Sequence, residues 1–329
     1  MKNFLLLLVC LIGLNAFSQK KFEKIWDKIE TLETKNRSKD AYDLVLEVFE
    51  KAEKANNDKQ VTKAFIYKSK FELMLKENSQ KDVYKSFINE IERQTFPTKQ
   101  ILTSHLAESL NEYLTRNYYK IRNRSETETD SEDFTTWSEN KFYHQIDSLY
   151  QESLKPASKL QKLEGKDFKY LLKSGENYRK FRTSIYDLAV NRYLKFLEQY
   201  QQPSEFKSSF KLKDSTFLAS PENFIKLEIE TEKPTSSIYK SLELYQNLEQ
   251  FHLKAEDESS LLSVALERLE FIKNNSDFGD HTVNLYIESL QNFKDEFNED
   301  YSKASIILKL AEYHEQFANK EKHPDFYIE

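Results

Sequence analysis

One stretch, Arg182 to Tyr200, limits the folds open to this chain more than any other. At 3.6 residues per turn, Ile185, Leu188, Ala189, Tyr193, Phe196 and Leu197 line one face, and Tyr186, Val190 and Leu194 add a second beside it. Asp187, Asn191, Lys195 and Glu198 make the polar strip. A helix that is apolar around most of its circumference is buried by neighbours on several sides. Other helices must therefore pack around this one. Ser184, with Asp187 three residues later, matches a capping box at its start. The rest of the chain can supply the neighbours. With 4 Gly and 6 Pro in 329 residues, it has too few breakers for a sandwich or barrel, and long helices are expected.

The first 18 residues read as a leader rather than as part of the fold. Lys2 is a short positive start, and Phe4 to Leu14 is an apolar run too short for a membrane span. Ala16-Phe17-Ser18 places small residues for cleavage after Ser18. A lipoprotein would need Cys10 as the acylated residue, but Val9 stands before it where a small residue is wanted. The chain is therefore expected in the periplasm or cell envelope, not spanning a membrane. Cys10 is the single cysteine. The mature chain is left without disulfide, thiolate nucleophile or cysteine metal site. The charged share is 32%, and a net charge of −6 with signs interleaved offers no basic stripe for nucleic acid.

After the leader (1–18), residues 19–122 read as helical hairpins. Phe22, Ile25, Trp26, Ile29 and Leu32 share one face of the first helix, and Ser38 can cap the second. Asn56-Asn57-Asp58 ends the second, and Pro97 opens the fifth. Short connections make successive helices neighbours, and Ala41, Ala52 and Ala64 let axes approach closely. Residues 123–135 form a polar, acidic linker. A central block, 136–200, holds helices near 137–154 and 166–173 and then the apolar one. Residues 201–235, punctuated by Pro221 and Pro234, read as an extended segment wrapped over the helices, with room for one short strand. Helices resume through 236–329, the last with Ala304, Ile307, Leu308, Ala311 and Phe317 facing one way. No capping helix follows in the sequence, so the array reads as truncated. The fold class is all-α: an irregular α-solenoid or tetratricopeptide-like array of helical hairpins with one extended segment, although no consensus Gly or Pro recurs at a fixed period.

Sites of chemistry are not conspicuous, and no catalytic, cofactor-binding or metal-binding residue is assigned. His105, His144, His252, His281, His314 and His323 include no pair at zinc-protease spacing, and each is expected at the surface or the edge of the core. Gly165, Gly175 and Gly279 are isolated, so there is no phosphate loop, and there is no nucleophile elbow. Arg182, Asp187 and Arg192 stand out because they lie on or beside a buried helix, where an unpaired charge costs several kcal/mol. A structural ion-pair network is expected. An anion-binding Arg pair is the alternative.

Arg182-Thr-Ser-Ile-Tyr186-Asp187-Leu-Ala-Val-Asn-Arg192-Tyr-Leu-Lys-Phe196-Leu197 resembles a segment from the N-terminal helical region of large bacterial α2-macroglobulin-like proteins. Trp26-x-x-Ile29-x-x-Leu32 is similar to the opening of that region, and Gln60-x-x-Lys63-Ala64-x-Ile66-Tyr67 to its third helix. Phe217-Leu-Ala-Ser-Pro-x-x-Phe224, Leu244-Tyr245-Gln246-x-Leu248-x-x-Phe251-His252 and Leu266-x-Arg268-Leu269-x-Phe271 resemble its later parts. Thr183 and Asn191 depart from the family's Pro and His. The resemblance implies an exported protein from a family thought to trap proteases at the cell envelope through β-sandwich domains, a bait region and sometimes a thioester. A thioester needs a cysteine that the mature chain lacks. The expected role is thus a non-enzymatic scaffold that docks on macroglobulin-like domains or another envelope protein. A free-standing periplasmic solenoid that binds peptides or proteins is the second reading. An enzyme, requiring a pocket of strongly perturbed carboxylates and histidines, is the third.

Overall fold

A computed structural model of the chain describes residues 22–124, 132–168, 170–171, 181–199, 202–207, 212 and 214–322. They form an all-helical array with no strand among them. The long helices are α1 (22–34), α2 (Ser38–Lys54), α3 (Asp58–Leu75), α4 (Gln80–Arg93) and α5 (Thr98–Arg116). They continue, after the short α6 (Tyr118–Ile121), with α7 (Glu139–Ser153) and, after the short α8 (Ala157–Leu160), with α9 (Ile185–Leu197). The single-turn α10 (Pro221–Phe224) precedes α11 (Ser237–Ala255), α12 (Glu258–Asn275), α13 (Thr282–Glu296) and α14 (Asp300–Lys322). The expected leader, and residues 125–131 of the acidic linker, lie outside the described residues.

The shortage of glycine is met by other residues at the turns. Asn36, Asn56 and Asn78 take left-handed conformations, with φ of 56°, 48° and 55°, at the breaks flanking α2 and α3. Asparagine tolerates this region because its short polar side chain bonds locally. Starts are fixed by side chains that accept backbone N–H groups: Asn57 on α3, Ser138 on α7, Ser236 on α11 and Asp257 on α12. The expected Ser38 cap is not made; Ser38 is the first residue of α2, and Arg37 precedes it without capping a backbone N–H.

Helix α9 occupies the middle. It packs on α5, α7, α8 and α11, and α11 in turn packs on α12. Ile185, Tyr186, Val190, Tyr193, Leu194, Phe196 and Leu197 are all buried. Its start is clasped by backbone bonds: Gly165 N–H to the Thr183 carbonyl (2.8 Å) and Ile185 N–H to the Leu163 carbonyl (2.9 Å). The capping box is present, with Ser184 Oγ and the Asp187 carboxylate bonding each other's backbone N–H groups. The polar strip is only half polar in its surroundings. Asp187 and Asn191 are buried and Lys195 and Glu198 exposed.

Two apolar clusters hold the array. One joins Phe22, Trp26 and Ile29 of α1 to α2 and α3, including Val45 and Phe71. The other runs from Phe65 through Phe142, Phe196, Leu248 and Leu269 to Tyr313. Three local expectations change. The helix predicted from residue 166 opens as a 3-10 turn over Gly165–Phe168. The segment 201–235 makes no strand in its described residues; it contributes a 3-10 turn (Ser215–Leu218), α10 and one bridge from Leu212 to Ser276. On α14 the inward residues are Ser302, Ile306 and Tyr313, so the apolar stripe Ala304, Ile307, Leu308 and Ala311 faces outward. The side chain of Phe317 is outside the described set.

Arg268 is the largest fully buried side chain. Its Nε donates to Glu249 Oε1 (2.6 Å), Nη1 to the Phe217 carbonyl (2.6 Å) and Nη2 to the Ala219 carbonyl (2.8 Å). The guanidinium also lies 4.0 Å from the ring centre of Phe224. Thus α12 is tied at one point to α11 and to the wrapped segment. We expect Arg268→Ala to destabilise the protein by ~3–5 kcal/mol, because it strands a buried carboxylate. Urea denaturation should show Arg268→Met combined with Glu249→Leu recovering part of that loss; an unchanged midpoint for Arg268→Ala would contradict the assignment.

Candidate functional site

Around α9 and α11 the buried charges come together in pairs. Asp187 is fully enclosed, and its two oxygens have separate duties. Oδ2 accepts the Ser184 backbone N–H (2.9 Å) and the Ser184 hydroxyl (2.6 Å). Oδ1 lies 2.7 Å from His252 Nε2 on α11. Burial by itself would push the Asp187 carboxyl up. The His252 hydrogen bond and charge, with the Ser184 donors, outweigh it and hold the carboxyl below its ordinary range. His252 is itself fully buried, against the expectation that every histidine would sit at the surface or the core edge. The missed signal is periodic: Tyr245, Leu248, Glu249 and His252 follow one another at helical spacing on the buried face of α11.

The other sequence-predicted residues fall into similar contacts. Arg182 is buried beside α9 and pairs with Glu267 of α12 through Nη2, as its Nη1 reaches Ser263 Oγ at 3.4 Å. Arg192 is half-buried and pairs with Glu108 of α5 at 3.3 Å. The two arginines serve different neighbours, so the geometry forms the ion-pair network rather than a shared anion site. Phe196 packs between Tyr143 (5.2 Å between ring centres) and Tyr150 (5.7 Å). Tyr186 meets the ring of Phe251 edge-on at 5.9 Å. Tyr245 donates its hydroxyl to Glu198 at 3.0 Å. Trp26 lies far from these on α1, donates Nε1–H to Gln60 (2.7 Å) and packs against Tyr67 and the Lys63 ammonium.

One further polar junction was not foreseen. Asp147 of α7 accepts the Tyr193 hydroxyl (2.5 Å) and the Lys240 ammonium (2.8 Å), which joins α7, α9 and α11. Its residues are scattered across nearly a hundred positions of sequence, so no local spacing marks them.

Two cavities border α9. A narrow apolar slot of about 100 Å³ lies among Ile101, Leu160, Phe168, Ile185 and Leu188. Ser104 Oγ and Gln100 Oε1, a turn apart on α5, line this slot without a hydrogen-bond partner. A wider basin of about 750 Å³ on the other side is polar, with Asn191, Lys195, Glu198 and Glu267 in its wall. Among the described residues no three His, Cys, Asp or Glu side chains converge to hold a metal ion, and no helix is long and apolar enough to cross a membrane. Asp187 and His252 resemble an acid–base dyad in distance, but Ser184, the nearest hydroxyl, bonds the carboxylate rather than the imidazole. The arrangement orients helices, and His252 Nδ1 lies 3.8 Å from Asp257 Oδ2.

No family model, curated protein or solved structure matches the chain.

The Asp187 pair predicts a pH dependence. A carboxyl whose folded pKa lies below its unfolded value contributes stability that is present above the unfolded value and lost as pH falls through the folded one. Wild-type stability should therefore drop below about pH 3.9. In Asp187→Asn, less stable at neutral pH, that part of the slope should be missing. Chemical denaturation at stepped pH checks this, and parallel pH profiles for the two proteins would contradict it.

Proposed function

We propose that the chain is an exported, non-enzymatic helical scaffold, related to the N-terminal helical part of bacterial α2-macroglobulin-like protease inhibitors, that docks on macroglobulin-like domains or another cell-envelope protein. The observation that carries the reading is the outer face of α14. Ile307 is 50% exposed and Leu308 61%, and Ala304 and Ala311 flank them at helical spacing. The opposite side of the same helix is packed on α12 and α13. A helix apolar on two sides, with one in solvent, has the form of an array element awaiting a neighbour.

The segments that carry the family resemblance support the same reading by how they are used. Arg182, Tyr186, Asp187, Arg192 and Phe196 act on neighbouring helices. Arg268 uses the carbonyls of Phe217 and Ala219, both in the Phe217–Phe224 motif. These residues maintain a shape. The leader-like residues 1–18 support a site of action outside the cytoplasm.

A second reading, a periplasmic solenoid that binds peptides, is favoured by the slot beside α5. A volume of about 100 Å³ approaches the ~150 Å³ of an apolar cavity that admits benzene, so one peptide side chain would fit it. Gln100 Oε1 would accept a peptide N–H at its edge.

Site-specific photo-crosslinking tests the first reading. A benzophenone side chain at position 308, in the chain expressed with residues 1–18 in its native cell, should give an adduct with a protein carrying macroglobulin-like domains. The same group at exposed Lys120 should not. N-terminal sequencing of the protein should begin at Gln19. No adduct from position 308, or a cytoplasmic chain that retains Met1, would overturn the proposal.

A further inference from the structure

The slot between α5 and α9 sets polar atoms of α5 against apolar side chains from several elements. Ile101 of α5, Leu160 of α8, Phe168 of the 3-10 turn, and Ile185 and Leu188 of α9 supply the apolar surface. The charged groups of the wall answer one another. Arg192 pairs with Glu108 at 3.3 Å, and His105 stands 3.5 Å from the same carboxylate. Burial pushes the Glu108 carboxyl up, but the His105 hydrogen bond and the Arg192 charge outweigh it and hold the carboxyl below its ordinary range. Glu108 is therefore ionised at neutral pH and matches the Arg192 charge. Ser153, also in the wall, donates its hydroxyl to the Tyr150 carbonyl (2.7 Å).

Gln100 Oε1 and Ser104 Oγ differ, because both are buried at the slot without a hydrogen-bond partner. Ser104 is 3% exposed. At i and i+4 of α5 the two stand one turn apart on one face. The Gln100 amide is oriented from its other end, where Nε2 donates to the Lys155 carbonyl (2.9 Å), so the unpartnered atom is the oxygen, an acceptor. Ser104 Oγ can donate as well as accept. Buried polar atoms left without partners cost free energy, and a ligand that meets both gains it. A neutral hydroxyl does so through one atom, donating to the amide oxygen and accepting from the serine. An ammonium or a carboxylate would add a charge that the matched Arg192–Glu108 pair leaves unbalanced. The volume of about 100 Å³, against ~150 Å³ for an apolar cavity that admits benzene, suits one flat ring and excludes a larger ligand.

We propose that the slot binds a phenol ring, its hydroxyl donating to Gln100 Oε1 and accepting from Ser104 Oγ while the ring lies among Ile101, Leu160, Ile185 and Leu188. The inference rests on the second reading above to the extent that one side chain enters this slot, and it names the chemistry of that side chain. The Gln100 oxygen has two lone pairs, so it can take the hydroxyl beside a peptide N–H. The same ring arrives either on a free phenol or on a tyrosine of a peptide.

Calorimetry on the full chain separates the sources. One arm compares p-cresol with toluene, the other acetyl-Gly-Tyr-Gly-amide with acetyl-Gly-Phe-Gly-amide. At least one hydroxylated probe should bind saturably at a single site, about tenfold tighter than its match without the hydroxyl. The tighter arm identifies the source. Ser104→Ala breaks no hydrogen bond of the free protein, so it should leave thermal stability unchanged. It should weaken the hydroxylated probe about fivefold and leave its match unaffected, a coupling that a merely structural serine would not give. Nuclear Overhauser contacts from the probe's ring protons should reach the methyl groups of Ile101 and Ile185. Binding of p-cresol but of neither peptide would support the phenol site and count against the peptide reading. Equal binding of the two peptides would support the peptide reading and overturn the phenol site. No saturable binding of either hydroxylated probe, or indifference of the hydroxyl preference to Ser104→Ala, would also overturn it.

Discussion

On the C-terminal side of the array, α11, α12 and the wrapped segment meet at one guanidinium. Arg268 has no contact with solvent, yet its three donor nitrogens each meet an acceptor, and Phe224 covers its face. Removing such a charge from water carries a penalty of several kcal/mol before any partner is counted. Burial pushes the Glu249 carboxyl up and Arg268 pulls it only part of the way back, so the pair does not recover the whole cost of its burial. What the pair adds is direction. A segment whose regular structure is one 3-10 turn and the single-turn α10 is held because two of its carbonyls point at Arg268.

The same principle recurs at Asp187–His252, at Arg182–Glu267 and at Asp147 with Tyr193 and Lys240. Each joins helices that are distant in sequence. Hydrophobic burial drives such helices together but is not directional. Paired charges choose among the packings that burial would allow, because a wrong register would leave a charge alone in the core. Polar residues inside this molecule are therefore consistent with a part whose product is shape.

How much could be read in advance depended on whether a feature was local. The capping box of Ser184 and Asp187 spans three residues, and it forms as the spacing dictates. The burial of Ile185, Tyr186 and Phe196 follows from periodicity along one helix. That Arg182, Asp187 and Arg192 are all paired follows from the cost of a lone buried charge. Their partners did not follow, because Glu267, His252 and Glu108 lie on helices whose placement is not a local property. His252 was assigned to the wrong environment for the same reason. The α14 stripe went wrong in the opposite sense: the periodicity was real, but the neighbouring helices use the other side, where Ser302, Ile306 and Tyr313 meet the core.

The sequence by itself determined that the chain would be helical, where α9 would lie and that it would be central. Breaker content, apolar periodicity and caps act within a turn or two of the chain, and they are complete in the order of residues. The tertiary structure alone decided which glutamate answers which arginine, that an irregular stretch would be anchored through its carbonyls, and which face of the last helix meets water. These are contacts between surfaces brought together only after the helices exist. Asn36, Asn56 and Asn78 lie between the two cases: the asparagines are visible in the sequence, but their left-handed backbone is fixed by the helices they join.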